Sequence, residues 1–256
     1  MPVARTRLEV VLSPLEFAPL SKRELSRATC VVFDILRATS SMITALARGA
    51  ESIVPVGEIG EALQMREKDS KVLLAGEREG LRITGKLTGS VDFDFGNSPR
   101  EFTEQAVKGR RIVMTTTNGT RALRACAAAR EVLVSSFLNL SATAEWLRQN
   151  PPGHLVVICS GTHDEPALED MLAAGALCEQ IWGLYQWGEV SDGAECVRRL
   201  FEEAQAELAD SLAAARNARR LLALPDLAAD VPFCLQRDVF PFVARLEKNG
   251  AVRRVS

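Results

Sequence analysis

The stretch Thr29-Cys-Val-Val-Phe-Asp34-Ile-Leu-Arg37-Ala-Thr39-Ser40-Ser41 decides the fold. Its first five residues are apolar or β-branched, with no polar alternation. That describes a strand covered on both faces, as in a parallel sheet. The run stops at an aspartate, and a helical pattern takes over at 40–48. The same grammar recurs along the chain. Strand-like runs lie at 9–12, 52–56, 72–75, 111–115, 131–135 and 155–159, and helical patterns at 58–67, 99–108, 120–129, 141–149 and 166–184. Strand–helix alternation predicts an α/β protein with a three-layer α/β/α build and a largely parallel or mixed sheet. Residues 192–224 read as one or two helices without a strand. Pro151-Pro152-Gly153 is too short to separate domains, so residues 1–256 are expected to form a single domain.

Composition narrows the function. With 31 Lys+Arg against 33 Asp+Glu the net charge is −2, which gives no basic stripe for nucleic acid. A hydrophobic share of 47% is too high for a disordered chain. No apolar run reaches the ~18 residues of a membrane span. Met1-Pro-Val-Ala-Arg-Thr-Arg runs directly into a strand-like stretch and lacks the apolar core of a signal peptide, so a cytoplasmic location is expected. The six cysteines (30, 126, 159, 178, 196, 234) never form Cys-x-x-Cys, and read as buried free thiols rather than zinc ligands. Two histidines are too few for a histidine relay or metal cluster. The chemistry falls to carboxylates, arginine, serine, threonine and asparagine.

Open parallel sheets bind ligands where strands end and helices begin. Asp34 closes one strand, with Arg37, Thr39 and Ser40 at the helix start that follows. These offer a metal-ligating oxygen and anion donors, while an N-cap and a local ion pair are the plain structural alternative. Leu36 stands where aspartyl-phosphate phosphatases carry a second acid. Gly76-Glu77-Arg78-Glu79-Gly80 reads as an anion clamp or a solvated turn after its strand. Asp94-Phe-Gly96-Asn97-Ser98-Pro99 supplies cap residues before a helix. Thr115-Thr116-Thr117-Asn118-Gly119-Thr120 offers hydroxyl and backbone donors without net charge. Finally, Glu169 and Asp170 fall in the first turn of a helix that is apolar nearly all round. Poorly solvated carboxylates there need a partner such as a hard divalent cation, unless they only complement the helix dipole. His163 reads as an exposed loop residue. Asp238, within the cluster 230–241, is a further candidate carboxylate, and Phe233, Phe240 and Phe242 read as core.

These motifs, in this order, resemble the 2-phosphosulfolactate phosphatase family. The likeness rests on Val31-Val-Phe-Asp34-Ile-Leu-Arg37-Ala-Thr39-Ser, Gly76-Glu77-Arg78-Glu-Gly, Phe93-Asp94-Phe-Gly96-Asn97-Ser98-Pro99, Thr115-Thr-Thr-Asn118-Gly119-Thr120, and Leu168-Glu169-Asp170 with Ala174-Gly175. A weaker pattern, Asp230…Cys234…Asp238, extends it over almost the whole chain. The resemblance implies an α/β/α fold of two entangled subdomains and Mg²⁺-assisted hydrolysis of a phosphate monoester, yielding 3-sulfolactate on a route to coenzyme M. Asp34, Glu169 and Asp170 match the metal-side acids, with Asp34, Arg37 and Glu169 as the catalytic set. Arg37, Thr39, Ser40, Glu77, Arg78, Asn97, Ser98, Thr117, Asn118, Gly119 and Thr120 form the expected substrate side. The substrate implied is a small anionic phosphate ester. A non-catalytic binding protein for such an acid, and a phosphosugar or phosphoacid isomerase, are the rival readings.

The sequence departs from the family pattern at three places. Residues 86–92 look like an insertion beside a motif, able to reshape the substrate mouth. Ala167 replaces a serine, and His163-Asp-Glu-Pro166 replaces a more glycine-rich loop. Trp182, Tyr185 and Trp187 offer apolar surface for a homodimer, or core.

Overall fold

The computed structural model describes residues 6–255; the start of the amino-terminal stretch read above for a signal peptide lies outside them. The strand quoted first, Thr29–Phe33, is buried at every position. Its side chains divide by parity: Cys30 and Val32 enter one core, Val31 and Phe33 the other. That two-sided burial is why the sequence shows no polar alternation there.

The strands among the described residues are β1 (Arg7–Val11), β2 (Thr29–Phe33), β3 (Ser52–Pro55), β4 (Leu73–Arg78), β5 (Leu81–Arg82), β6 (Arg111–Thr115), β7 (Glu131–Ser135), β8 (His154–Cys159), β9 (Glu189–Val190), β10 (Ala244–Leu246) and β11 (Val252–Arg254). They form one sheet in the order β5-β4-β6-β3-β11-β10-β7-β2-β8-β1-β9. Pairing is parallel except around the β10–β11 hairpin and between β4 and β5. The sheet is therefore mixed, with helices on both faces: the expected three-layer α/β/α arrangement.

One face packs on helices Leu140–Gln149, Leu168–Tyr185 and Asp192–Ala204, and the other on Phe17–Ser21, Ala38–Ala47 and Gly119–Ala125. A third, smaller core lies under helix Ile59–Lys68, beside β4 and β6. Truncating a fully buried residue such as Phe33 to alanine would cost about 3–5 kcal/mol.

Several local readings change. The expected helix over 99–108 is a short turn, Pro99–Glu101, followed by Glu104–Val107; the segment breaks between them at buried Phe102. The helix after the threonine loop ends at Ala125. Residues 192–224 hold Asp192–Ala204, Leu208–Ala213 and Arg216–Leu222, joined by a tight turn at Gln205–Glu207. Gly76-Glu77-Arg78 is not a loop after β4 but its continuation. Gly76 makes that possible, since a Cβ there would lie 2.2 Å from the Thr115 carbonyl oxygen of the neighbouring strand. The inserted residues 86–92 form an exposed turn of helix, Gly85–Thr88, whose Gly85 N–H donates to Asp92 at 2.6 Å. Five cysteines are buried and unpaired as expected, and Cys196 is exposed.

Of the three aromatics considered for a homodimer, Tyr185 is fully buried and its hydroxyl donates to the Pro152 carbonyl at 3.0 Å. Trp182 lies under the Arg198 guanidinium, and Trp187 is 90% exposed. Phe242 is buried, while Phe233 and Phe240 pack half-buried against the core. No helix among the described residues is long and apolar enough to cross a membrane.

Candidate active site

The sheet bends so far that its two arms meet. Gly119, at the start of the helix after β6, sits against the end of β2 although several strands lie between them. A Cβ on Gly119 would lie 2.6 Å from Ala38 Cβ and 2.8 Å from Asp34 Oδ2. Only glycine permits that approach. The carboxyl ends of β2, β4, β6 and β8 thereby surround one cavity of about 270 Å³.

Asp34 lines this cavity and is buried. Its Oδ1 accepts the Ala38 N–H at 2.9 Å, and Oδ2 faces the helix start at Gly119. Burial pushes its carboxyl up to about 7, against the Ala38 hydrogen bond, and the negative charges of Glu77 and Glu169 add to the rise. Asp170 is also raised, first by burial and then by Asp34 and Glu169. Both its oxygens are occupied: Oδ1 accepts Ile35 N–H at 2.8 Å and Oδ2 accepts Gly161 N–H at 3.0 Å. Asp170 therefore ties the loop after β2 to the loop after β8. Glu169, 1% exposed, is raised by burial, although Asn217 donates to its Oε1 at 2.5 Å. Its Oε2 has no partner among the described residues.

That orphan is one of a group. Six buried side-chain polar atoms lack partners among the described residues; Asn97 Oδ1 and Asn118 Oδ1 belong to cavity-lining residues, Ser160 Oγ follows β8, and Glu169 Oε2 lies in the first turn of the helix beyond it. Buried polar groups are rarely left unpaired, so these atoms call for ordered water or a bound group as partner. Oxygen donors with two crowded carboxylates suit a hard divalent cation. No three His, Cys, Asp or Glu side chains among the described residues are already arranged as a metal cage.

Arginines share the lining with these acids. Arg78 Nη1 donates to the Glu77 carbonyl at 2.8 Å, and Nη2 donates to Thr115 Oγ1 at 3.0 Å; its partners are carbonyls and a hydroxyl, not carboxylates. Arg37 is different. Nη1 donates to Asp230 at 2.7 Å and Nη2 to the Gly80 carbonyl at 2.7 Å, with 3% of the residue exposed. Fully buried Asp230 also accepts Ser98 Oγ at 2.7 Å. Glu77 holds the loops together, taking Thr117 N–H at 2.8 Å and Gly80 N–H at 2.7 Å.

Sequence-derived candidates thus separate into two sets. Asp34, Arg37, Glu77, Arg78, Asn97, Thr117 and Asn118 line the cavity, joined by Thr116. Glu169 and Asp170 lie behind Asp34, and Gly119 beneath it. Thr39, Ser40, Ser98 and Thr120 do not reach the cavity. Thr39 Oγ1 donates to the Asp34 carbonyl at 3.0 Å, Ser40 Oγ to the Ile35 carbonyl at 2.9 Å, and Thr120 Oγ1 to the Thr116 carbonyl at 2.9 Å. Their hydroxyls fix the loops. Asp238 is elsewhere, accepting Ser141 N–H at 2.6 Å at the start of helix Leu140–Gln149. None of residues 86–92 borders the cavity. His163 is exposed, at the cavity rim.

Asn217, Arg220, Leu221 and Leu224 complete the wall, and the sequence reading passed over them. Asn217, Arg220 and Leu221 share one face of helix Arg216–Leu222 by their spacing of three and four, with Leu224 just past its end, but a polar–apolar face looks the same on any surface helix.

A sheet-end cavity lined by a buried aspartate and by an arginine with no carboxylate partner among the described residues belongs here to a phosphoric monoester hydrolase. The family model described as 2-phosphosulpholactate phosphatase matches residues 17–249, and the chain belongs to that family. It is 38% identical over 236 residues to a probable 2-phosphosulfolactate phosphatase of Caldanaerobacter subterraneus subsp. tengcongensis, covering 91% of this chain and 93% of that one. A protein of Thermotoga petrophila with the same description is 36% identical, covering 93% and 95%. One from Symbiobacterium thermophilum is 40% identical, covering 83% and 88%.

Proposed function

We propose that the chain hydrolyses the phosphate monoester of a small 2-hydroxy acid, with 2-phosphosulfolactate and water giving 3-sulfolactate and inorganic phosphate, and that it requires Mg²⁺. The observation that carries this reading is the partnerless Glu169 Oε2 close behind buried Asp34, in a cavity that Asp34 and Arg78 both line. Asp34 and Glu169 would hold the ion. Bound there, Mg²⁺ would neutralise non-bridging phosphoryl oxygens.

The chain's own groups supply the rest. Arg78, which has no carboxylate partner among the described residues, offsets the charge spreading over the equatorial oxygens, where phosphoryl transfer gains most. The amides of Asn97 and Asn118 are polar groups held ready for the substrate. Asp170 and Glu77 hold the four loops in place through backbone N–H groups, so little reorganisation accompanies binding. Attack by water is favoured over attack by Asp34, because Leu36 stands where aspartyl-phosphate enzymes carry their acid. The P–O ester bond breaks as the water oxygen bonds to phosphorus, and a proton given up by that water ends on the departing oxygen, which leaves as the alcohol of the hydroxy acid.

Release of inorganic phosphate from 2-phosphosulfolactate, followed with and without chelator, tests the proposal. Phosphate should appear with Mg²⁺, stop on chelation and return on adding Mg²⁺ back. Tight binding of the ester without phosphate release would favour a binding protein instead.

A further inference from the structure

Helix Arg216–Leu222 spans both lips of the cavity. On the β8 side, Arg216 is paired with Glu165, and Asn217 donates to Thr162 Oγ1 at 2.6 Å and to Glu169 at 2.5 Å. On the β4 side, Arg220 donates to the Glu79 carbonyl and lies over Gly80. The helix carries three arginines with three fates. Arg216 has its carboxylate, and Arg219 turns back to the Ala214 carbonyl at 2.7 Å. Arg220 alone among the three points into the cavity mouth, with Leu221 and Leu224 beside it.

The three guanidiniums that border the cavity are not equivalent. Arg37 is neutralised by Asp230. Arg78 commits its two Nη groups to Glu77, Thr115 and Gly57 and keeps its charge for the phosphoryl group. Arg220 has one carbonyl partner and no carboxylate among the described residues, so it keeps both charge and donors to spare. A planar guanidinium takes a carboxylate or sulfonate through parallel hydrogen bonds, and the two leucines offer an apolar wall for a short carbon chain.

We propose that Arg220 is the specificity-determining residue that reads the second anionic group of the substrate, the carboxylate or sulfonate, while the phosphoryl group lies deeper, between Arg78 and the acids. This rests on the phosphatase reading above.

The test compares 2-phospholactate with isopropyl phosphate, which differs by a methyl in place of the carboxylate. In Arg220→Gln, the ratio of kcat/KM for 2-phospholactate over isopropyl phosphate should fall about 10- to 100-fold, the size expected for hydrogen bonds to a charged group. Most of the loss should appear in KM, and Arg220→Lys should recover part of it. A ratio unchanged within about twofold overturns the assignment, as does an equal loss on both substrates. Calorimetric binding of 3-sulfolactate needs no turnover. If wild type releases no phosphate but binds 3-sulfolactate, and Arg220→Gln binds it at least about tenfold more weakly, the phosphatase reading falls and the role of Arg220 stands. If neither form binds it, Arg220 is not an anion reader.

Discussion

Glu9, on β1, and Asp34, at the end of β2, belong to one sheet and meet opposite treatment. Glu9 lies toward the end where β8 begins, among His154 at 2.8 Å, Arg23 at 2.8 Å and Arg7 at 2.5 Å. Burial works against its charge, but the hydrogen bonds from His154 and Arg23 prevail and hold it at about 2. Asp34, at the other end, keeps company with Glu77 and Glu169 and is pushed up to about 7. One end of the sheet spends its charges on holding the fold. The other end leaves Asp34 and Glu169 without an ion-pair partner among the described residues, which is the arrangement expected where a charged ligand completes the site.

The sharpest way to break this comparison is Asp34→Asn. Phosphate release should fall by at least about 10³-fold, without a lower thermal midpoint in calorimetry, since the buried charge removed is itself unfavourable. Wild-type rates would take Asp34 out of the mechanism. Asp230 sharpens the contrast, because it is an acid near the site that is fully partnered. Asp230→Ala leaves Arg37 buried and unpaired, and urea unfolding should show a loss of about 3–5 kcal/mol. A loss under about 1 kcal/mol would mean that the pair behaves like a surface bridge.

The two ends should also answer pH with opposite sign. A carboxyl lowered by folding, as in Glu9, gives stability that is present above its ordinary value of 4.5 and lost as pH falls toward 2. A carboxyl raised by folding, as in Asp34, gives stability that is present below 3.8 and lost as pH rises through about 7. With chelator present, unfolding curves of Glu9→Gln should converge on wild type as pH drops, and those of Asp34→Asn should pull ahead of wild type as pH rises. Parallel curves would refute the contrast. The smallest effect is expected at Lys86, on the inserted turn away from the cavity. Lys86→Ala should leave kcat/KM within about twofold, and a larger change would return that turn to the substrate mouth.

The parts legible in the sequence are those where one strand or one loop suffices. β2, β6, β7 and β8 announce themselves because both faces are buried, and the residues that close them are polar where the cavity lies. What escaped depends on distant partners. β10 and β11 are three residues each, and Ala-Arg-Leu and Val-Arg-Arg carry too little apolar pattern to stand out. Thr39, Ser40 and Thr120 look like ligand donors in sequence, but the same hydroxyls serve equally well to tie down a loop. Asp230 and Asp238 are indistinguishable on paper. The fold sends one to Arg37 and Ser98, the other to Ser141.

The β10–β11 hairpin has a consequence for how the protein is made. It wedges between β3 and β7, so each of those strands keeps an open edge until residues 244–254 arrive. All other strands have by then left the ribosome, and at ~5–20 residues per second the wait after β7 is on the order of ten seconds. During that interval two half-sheets coexist with bare hydrogen-bonding rims, the form in which strands recruit wrong neighbours. The hairpin acts as a closing zip, and growth conditions that slow translation of its codons should raise the fraction lost to aggregates before any active site exists.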